Sequence, residues 1–167
     1  CLFATDEFDL RAALRRGDHV GTYSKANPVP GPDGICEGGL LPGRGVPVFD
    51  LDIGRVGAQI CFDAYFDEAW HALGVAGAEL VVFSSAMQAV MGLKAHAYTN
   101  QYYVLASTWN VPTVVVDPVG RELARTHGKP EVLVVKVDLD YRVYSNWRVD
   151  FVNELLEKYD GRIQRDW

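Results

Sequence analysis

The sequence predicts an α/β fold built on buried strands. Short apolar runs of strand length recur along its 167 residues, divided by turn signals, with no repeat, low-complexity tract or linker. Strand-like runs outnumber helix-like ones, and their apolar character implies that both faces of the sheet are covered. Composition agrees, because 49% hydrophobic and 23% charged residues are ordinary for a globular domain of a size that can enclose a core.

In chain order, Ala12-Ala13-Leu14 and His19 to Ser24 read as a hairpin around Arg16-Gly17-Asp18. That tripeptide also occurs as an adhesion signal, but in a hairpin the same residues are turn chemistry. Val20 to Lys25 is a strand ending in lysine, followed by a proline- and glycine-rich loop through Gly45 that contains Glu37. Val46 to Leu51 pairs with Arg55 to Ile60 across a turn at Asp52-Ile53-Gly54. Ala64 to Ala78 is a helix, with Phe66, Ala69, Trp70, Leu73 and Ala76 near one face. Glu79 to Phe83 is a strand, Ala95 to Gln101 a helix, and Tyr102 to Ser107 and Thr113 to Asp117 are strands. Asp117-Pro118-Val119-Gly120 is a turn with proline at its second position. Val132 to Val137 is a further strand, and Arg148 to Tyr159 a helix with Phe151, Val152, Leu155, Leu156 and Tyr159 on one side.

Several function classes are disfavoured. A net charge of −6 and a pI near 5.1 speak against a nucleic-acid surface, and Arg15-Arg16 is too short a basic run to make one. Cysteines at 1, 36 and 61 are odd in number and lack a Cys-x-x-Cys pair, while histidines at 19, 71, 96 and 127 are scattered. Neither a disulfide framework nor a metal site is expected. No signal peptide and no bilayer-length apolar run is visible, so no membrane partner is expected and the cytoplasm is the expected compartment.

The residues that carry chemistry cluster around Val56-Gly57-Ala58-Gln59-Ile60-Cys61-Phe62-Asp63, where an apolar strand ends in a cysteine and turns into a helix-like segment. At a helix N-terminus, unpaired N–H groups and the helix dipole lower a thiol pKa and cradle an oxyanion. The other reading, a buried cysteine that only packs, stands beside it. Ser84-Ser85 ends a strand without the Gly-x-Ser-x-Gly turn of a serine nucleophile, so lining a pocket suits it better. His71 is ten positions beyond Cys61, about 15 Å along a helix, which is too far for a cysteine–histidine dyad. Trp109, after a strand end, is open to either substrate contact or packing. Cys1 raises the possibility of an N-terminal nucleophile, but a chain cut from a longer one explains it more simply.

Gly21-Thr22-Tyr23-Ser24-Lys25, Glu37 with Pro42-Gly43, Gly57 to Asp63 with Phe66 and Glu68, Gly77 to Leu80, Asn100 and Asp117 to Gly120 together resemble the nitrilase superfamily of carbon–nitrogen hydrolases. The resemblance covers nearly the whole chain. It implies an α-β-β-α sandwich and a cysteine hydrolase that splits small amides or N-carbamoyl compounds through a thioester, with no cofactor. By position, Cys61 matches the nucleophile, Lys25 the catalytic lysine and Glu37 the second glutamate. Lys25 and the N–H of Phe62 are then expected to bind the oxyanion, and Ser84, Ser85 and Trp109 to line the substrate pocket.

The family's first glutamate, its general base, has no counterpart, since Glu7 lies in what reads as a turn or edge. Residues 1–167 are therefore expected to be the C-terminal part of the domain, inactive by themselves. Asp67, His71 and Thr99 depart from the family's usual proline, arginine and glutamate. Phe62-Asp63 looks more like amidase and carbamoylase branches than true nitrilases. Resemblance also implies a homo-oligomer, and the helix that carries Trp70 and His71 could supply a contact. The alternative is a degenerate relative that keeps the fold as a binding or interaction module.

Overall fold

The computed structural model describes residues 2–6, 9–15, 18–109, 112–128, 132–143 and 149–159. Strands β1 (Leu2–Asp6), β2 (Asp9–Arg15) and β3 (Asp18–Ser24) form an antiparallel three-stranded sheet. The expected hairpin joins β2 to β3, with Arg15 opposite Asp18. Arg16 and Gly17 lie outside the described residues, as do Cys1 and Glu7.

A second sheet has six strands in chain order: β4 (Val48–Leu51), β5 (Gly54–Ile60), β6 (Leu80–Ser85), β7 (Tyr103–Thr108), β8 (Val114–Val116) and β9 (Glu122–Arg125). Its centre, β5-β6-β7, is parallel, and its outer pairings are antiparallel. Helices α1 (Asp67–Val75) and α2 (Val90–Asn100) supply the crossovers, as parallel neighbours require. Helix α3 spans Val149–Lys158.

The six-stranded sheet buries both faces around β5 and β6. On one side Val81, Phe83, Val104, Val114 and Val116 meet Trp70, Leu73, Leu93 and Ala97 of the helices. On the other, Val56, Ala58, Ile60 and Val82, with Phe49 of β4, meet Tyr23 of β3. Helix layer, six-stranded sheet and three-stranded sheet are thus three successive layers of the expected sandwich.

The structure corrects four expectations. The helix foreseen from Ala64 starts only at Asp67, because Cys61–Tyr65 closes as a tight 3-10 turn with the Phe66 N–H on the Asp63 carbonyl at 3.2 Å. It also stops earlier, because Gly77 takes φ 78° and the Gly77 and Ala78 amides reach back to the carbonyls of Gly74 and Leu73. The foreseen strand Val132–Val137 has no ladder partner among the described residues, although burial alternates along it. Trp70 is completely buried and offers no surface to a partner, whereas His71 is exposed.

Candidate active site

The candidate residues gather at the carboxyl ends of β3, β5, β6 and β7, the edge where open α/β sheets bind ligands. Lys25 follows β3 directly. It is 3% exposed, which for a lysine demands a partner, and its Nζ donates to Glu37 Oε1. Glu37 reaches it because the loop folds back on itself. The Glu37 amide bonds to Val29 O at 2.9 Å, and the Gly43 amide bonds to Lys25 O at 2.8 Å. A Cβ at Gly43 would lie 2.1 Å from the Ser24 carbonyl oxygen, so only glycine permits that approach.

Cys61 sits where β5 ends and the tight turn begins, half-buried, as a free thiol. Its φ of 48° lies in the left-handed region, a strain of about 1–3 kcal/mol that persists only where neighbours over-determine it. The thiol is therefore at the head of a 3-10 turn and not at the N-terminus of an α-helix, and α1's dipole begins six residues later at Asp67.

Asp63, fully buried, joins the lysine segment to the cysteine turn. Its Oδ2 accepts Tyr23 Oη at 2.8 Å and the Ile60 amide at 2.9 Å. Its Oδ1 accepts the Asn27 amide at 2.8 Å and Asn27 Nδ2 at 3.1 Å. One carboxylate is thus bonded on both sides of Lys25, at 23 and 27, and directly before Cys61, at 60. Tyr23 Oη also accepts the Ala26 amide at 3.1 Å. Burial, reinforced by the Asp63 charge, pushes the Tyr23 phenol far above its ordinary value, so it remains a donor.

Ser84 lies opposite Ile60 in the β5–β6 ladder, and Ser85 opposite Thr108 in the β6–β7 ladder. Ser85 is buried, its Oγ accepting the Met87 amide at 2.9 Å. Trp109 follows β7, its amide bonded to Ser85 O at 2.9 Å and its side chain exposed. Phe62 packs its ring edge-on to Phe66 at 5.4 Å and tilted to Tyr65 at 5.5 Å, which leaves its backbone as the part suited to an oxyanion. His71 instead meets Asn100 Oδ1 at 3.3 Å. Among the described residues no cluster of histidine, cysteine and carboxylate side chains is arranged to hold a metal, and no helix is long and apolar enough to cross a membrane.

Sequence reasoning missed Tyr23, Asn27 and the anchoring part played by Asp63. The available signal was an aspartate two positions after a strand-ending cysteine, inside an otherwise apolar stretch.

The family model described as carbon–nitrogen hydrolase matches residues 8–145. Human deaminated glutathione amidase is 31% identical over 150 residues, covering 75% of this chain and 46% of its own length. Potato N-carbamoylputrescine amidase is 29% identical over 122 residues, covering 70% of this chain and 41% of its own. The chain thus spans about half the length of the curated relatives it matches. Among solved structures, a carbon–nitrogen hydrolase from Helicobacter pylori superposes with a TM-score of 0.70 at 20% identity, over 92% of this chain and 62% of that one. An amidase of the nitrilase superfamily from Nesterenkonia AN1, with a covalent acetamide group on its active-site cysteine, gives 0.61 at 22% identity, over 71% and 50%.

Proposed function

Since the chain belongs to the carbon–nitrogen hydrolase family, we propose that it carries the nucleophile and oxyanion site of an enzyme that splits a small amide or N-carbamoyl compound, releasing ammonia or an amine. The observation that carries this reading is the attachment of the Lys25 segment and the Cys61 turn to the single carboxylate of Asp63.

An amide carbonyl is a poor electrophile, so hydrolysis needs a strong nucleophile, stabilisation of the tetrahedral oxyanion and protonation of the leaving nitrogen. Cys61 Sγ attacks the carbonyl carbon after losing its proton to a base. The charge that builds on oxygen is met by the Lys25 ammonium and the Phe62 N–H. As the C–N bond breaks, the nitrogen takes that proton and leaves a thioester on Cys61, which water then hydrolyses to acid and free thiol. Glu37 holds the Lys25 ammonium in place. Its carboxylate is already engaged with Lys25, and we assign the base to a carboxylate other than Glu37. Ser84, Ser85 and Trp109 form the substrate side of the site.

Amides and N-carbamoyl compounds are the favoured substrates because the matching relatives are named as amidases, including deaminated glutathione amidase, omega-amidase and N-carbamoylputrescine amidase. The alkylated cysteine of the Nesterenkonia amidase supports a thiol nucleophile in this fold. Iodoacetamide labelling of the whole protein, read by peptide mass, tests the assignment. Cys61 should be modified before Cys36, and prior labelling should abolish ammonia release from amide substrates. Preferential labelling of Cys36 with Cys61 inert would return Cys61 to packing, and intact binding without turnover would favour the non-catalytic module.

A further inference from the structure

Cys61 holds φ 48° without glycine's freedom, so the turn that carries it must be fixed from outside. Asp63 fixes one side. The other side is fixed by two stacked rings from different helices. Trp70 of α1 donates its Nε1–H to the Asp63 carbonyl at 2.9 Å. His96 of α2 places Nε2 3.0 Å from the next carbonyl, that of Ala64. The rings lie 4.2 Å apart and 2° from parallel, Trp70 wholly buried and His96 6% exposed. A carbonyl oxygen only accepts, so the Ala64 contact places a proton on His96 Nε2. His96 Nδ1 faces Asp67 Oδ1 at 3.8 Å. A Cβ on Gly92, one turn earlier in α2, would be 3.9 Å from the same Ala64 oxygen, so the helix runs close beneath the turn.

We propose that His96 is a positioning residue for Cys61: its Nε2–H holds the Ala64 carbonyl and so locks the tight turn in the conformation that presents the thiol. This rests on the reading of Cys61 as nucleophile, and it adds a dependence of that nucleophile on α2. The donor is the working part. The stack with Trp70 keeps the imidazole plane aimed at the carbonyl, and a ring without the donor would fill the same space while leaving the turn free to relax.

The test uses the whole protein with two substitutions that divide the ring from the donor. His96→Phe keeps the stack and loses the N–H, while His96→Gln loses the ring and keeps an N–H at a similar reach. Three readouts are taken: the thermal midpoint, the rate of Cys61 carbamidomethylation followed by peptide mass, and kcat and KM on an amide turned over by the wild type. His96→Phe should lower both the labelling rate and kcat about tenfold, because small displacements of a reacting group carry large kinetic penalties, with KM changed less than about twofold. His96→Gln should recover most of both. Equal reactivity of His96→Phe and wild type would overturn the proposal, as would a His96→Gln protein as impaired as His96→Phe while melting normally. If His96→Phe fails to melt cooperatively, His96→Met, which also lacks the donor to the Ala64 carbonyl, takes its place, and an unchanged labelling rate there would overturn the proposal. The labelling rate needs no amide turnover, so it judges His96 even if Cys61→Ala retained activity and the hydrolase reading fell.

Discussion

At the carboxyl end of β5, Asp63 is completely buried and accepts from the Tyr23 hydroxyl and from the amides of Asn27 and Ile60. Near the amino end of the same strand, Glu79 accepts the Arg55 amide at 2.9 Å and Arg142 Nη2 at 2.8 Å. Both carboxylates join segments distant in sequence. They differ in what they leave to solvent: the Glu79 and Arg142 side chains are 21% and 48% exposed, and the neighbouring Arg55–Asp50 pair is 48% and 82% exposed. Water can replace a lost partner at the amino end and cannot at the carboxyl end. A buried group stripped of its partners bears the full desolvation cost, whereas exposed ion pairs contribute about 0–1 kcal/mol. The strained backbone of Cys61 lies at the end where that rigidity is available.

The comparison is tested most strongly by chemistry. In the whole protein, Cys61→Ala should lower amide turnover by at least about a thousandfold, while a change of Glu79 should alter it less than about twofold. Ammonia release measured on both variants decides this, and comparable losses at the two ends would break the assignment of the site to the carboxyl end.

Asp63→Ala should have the next largest effect, about 3 kcal/mol or more of stability, because several buried donors lose their acceptor together. Chemical denaturation reads the loss. Labelling of Cys61 should change with it, since the turn is freed. A cost below about 1 kcal/mol would mean that water enters and that the site is not the dry, rigid end described here.

Much of this was legible beforehand. The apolar runs that became β3 to β8 announced themselves by composition, and Lys25, Glu37 and Cys61 were marked by their settings at strand ends and in the loop. What escaped was decided by partners. Glu122 to Arg125, as Glu-Leu-Ala-Arg, is too short and polar to read as a strand, and it forms β9 because β8 offers it an edge. Val132 to Val137 has the apolar character of a strand, yet among the described residues it finds no edge to pair with. Helical spacing already put Trp70 on the apolar face of its helix, but not the partners that close over it, which are His96 of α2 and Phe83 of β6 at 4.2 and 5.9 Å. Asp63 was visible as part of a motif, but its four donors come from positions 23, 27 and 60, which only the folded chain brings together.

Tyr23→Phe removes one of those donors and keeps the ring, so its expected cost is about 1–2 kcal/mol at neutral pH, again by denaturation. Burial holds the Tyr23 phenol above its ordinary value of 10.0, so the wild type gains stability that is fully present below pH 10.0 and is lost as pH rises beyond it. The substitution should therefore soften the alkaline loss as well. An unchanged alkaline limb would mean that the phenol ionises equally easily in the folded and unfolded chain.

Glu79→Gln should have the smallest effect, below about 1 kcal/mol at neutral pH, since Gln keeps an acceptor for the Arg55 amide and the pair with Arg142 is partly solvated. Its pH dependence is the sharper readout. The Arg55 amide first, and then Arg142, hold the Glu79 carboxyl below its ordinary value of 4.5. A group with a depressed pKa contributes stability above its unfolded value and loses it as pH falls through the folded one. The difference in melting temperature between wild type and Glu79→Gln should thus be constant above about pH 5 and shrink below pH 4.5. Added salt should shrink it too, because exposed charges are screened, whereas the Tyr23→Phe difference should stay nearly the same. A Glu79 effect that ignored salt would place that carboxylate in the same dry class as Asp63 and erase the contrast between the two ends.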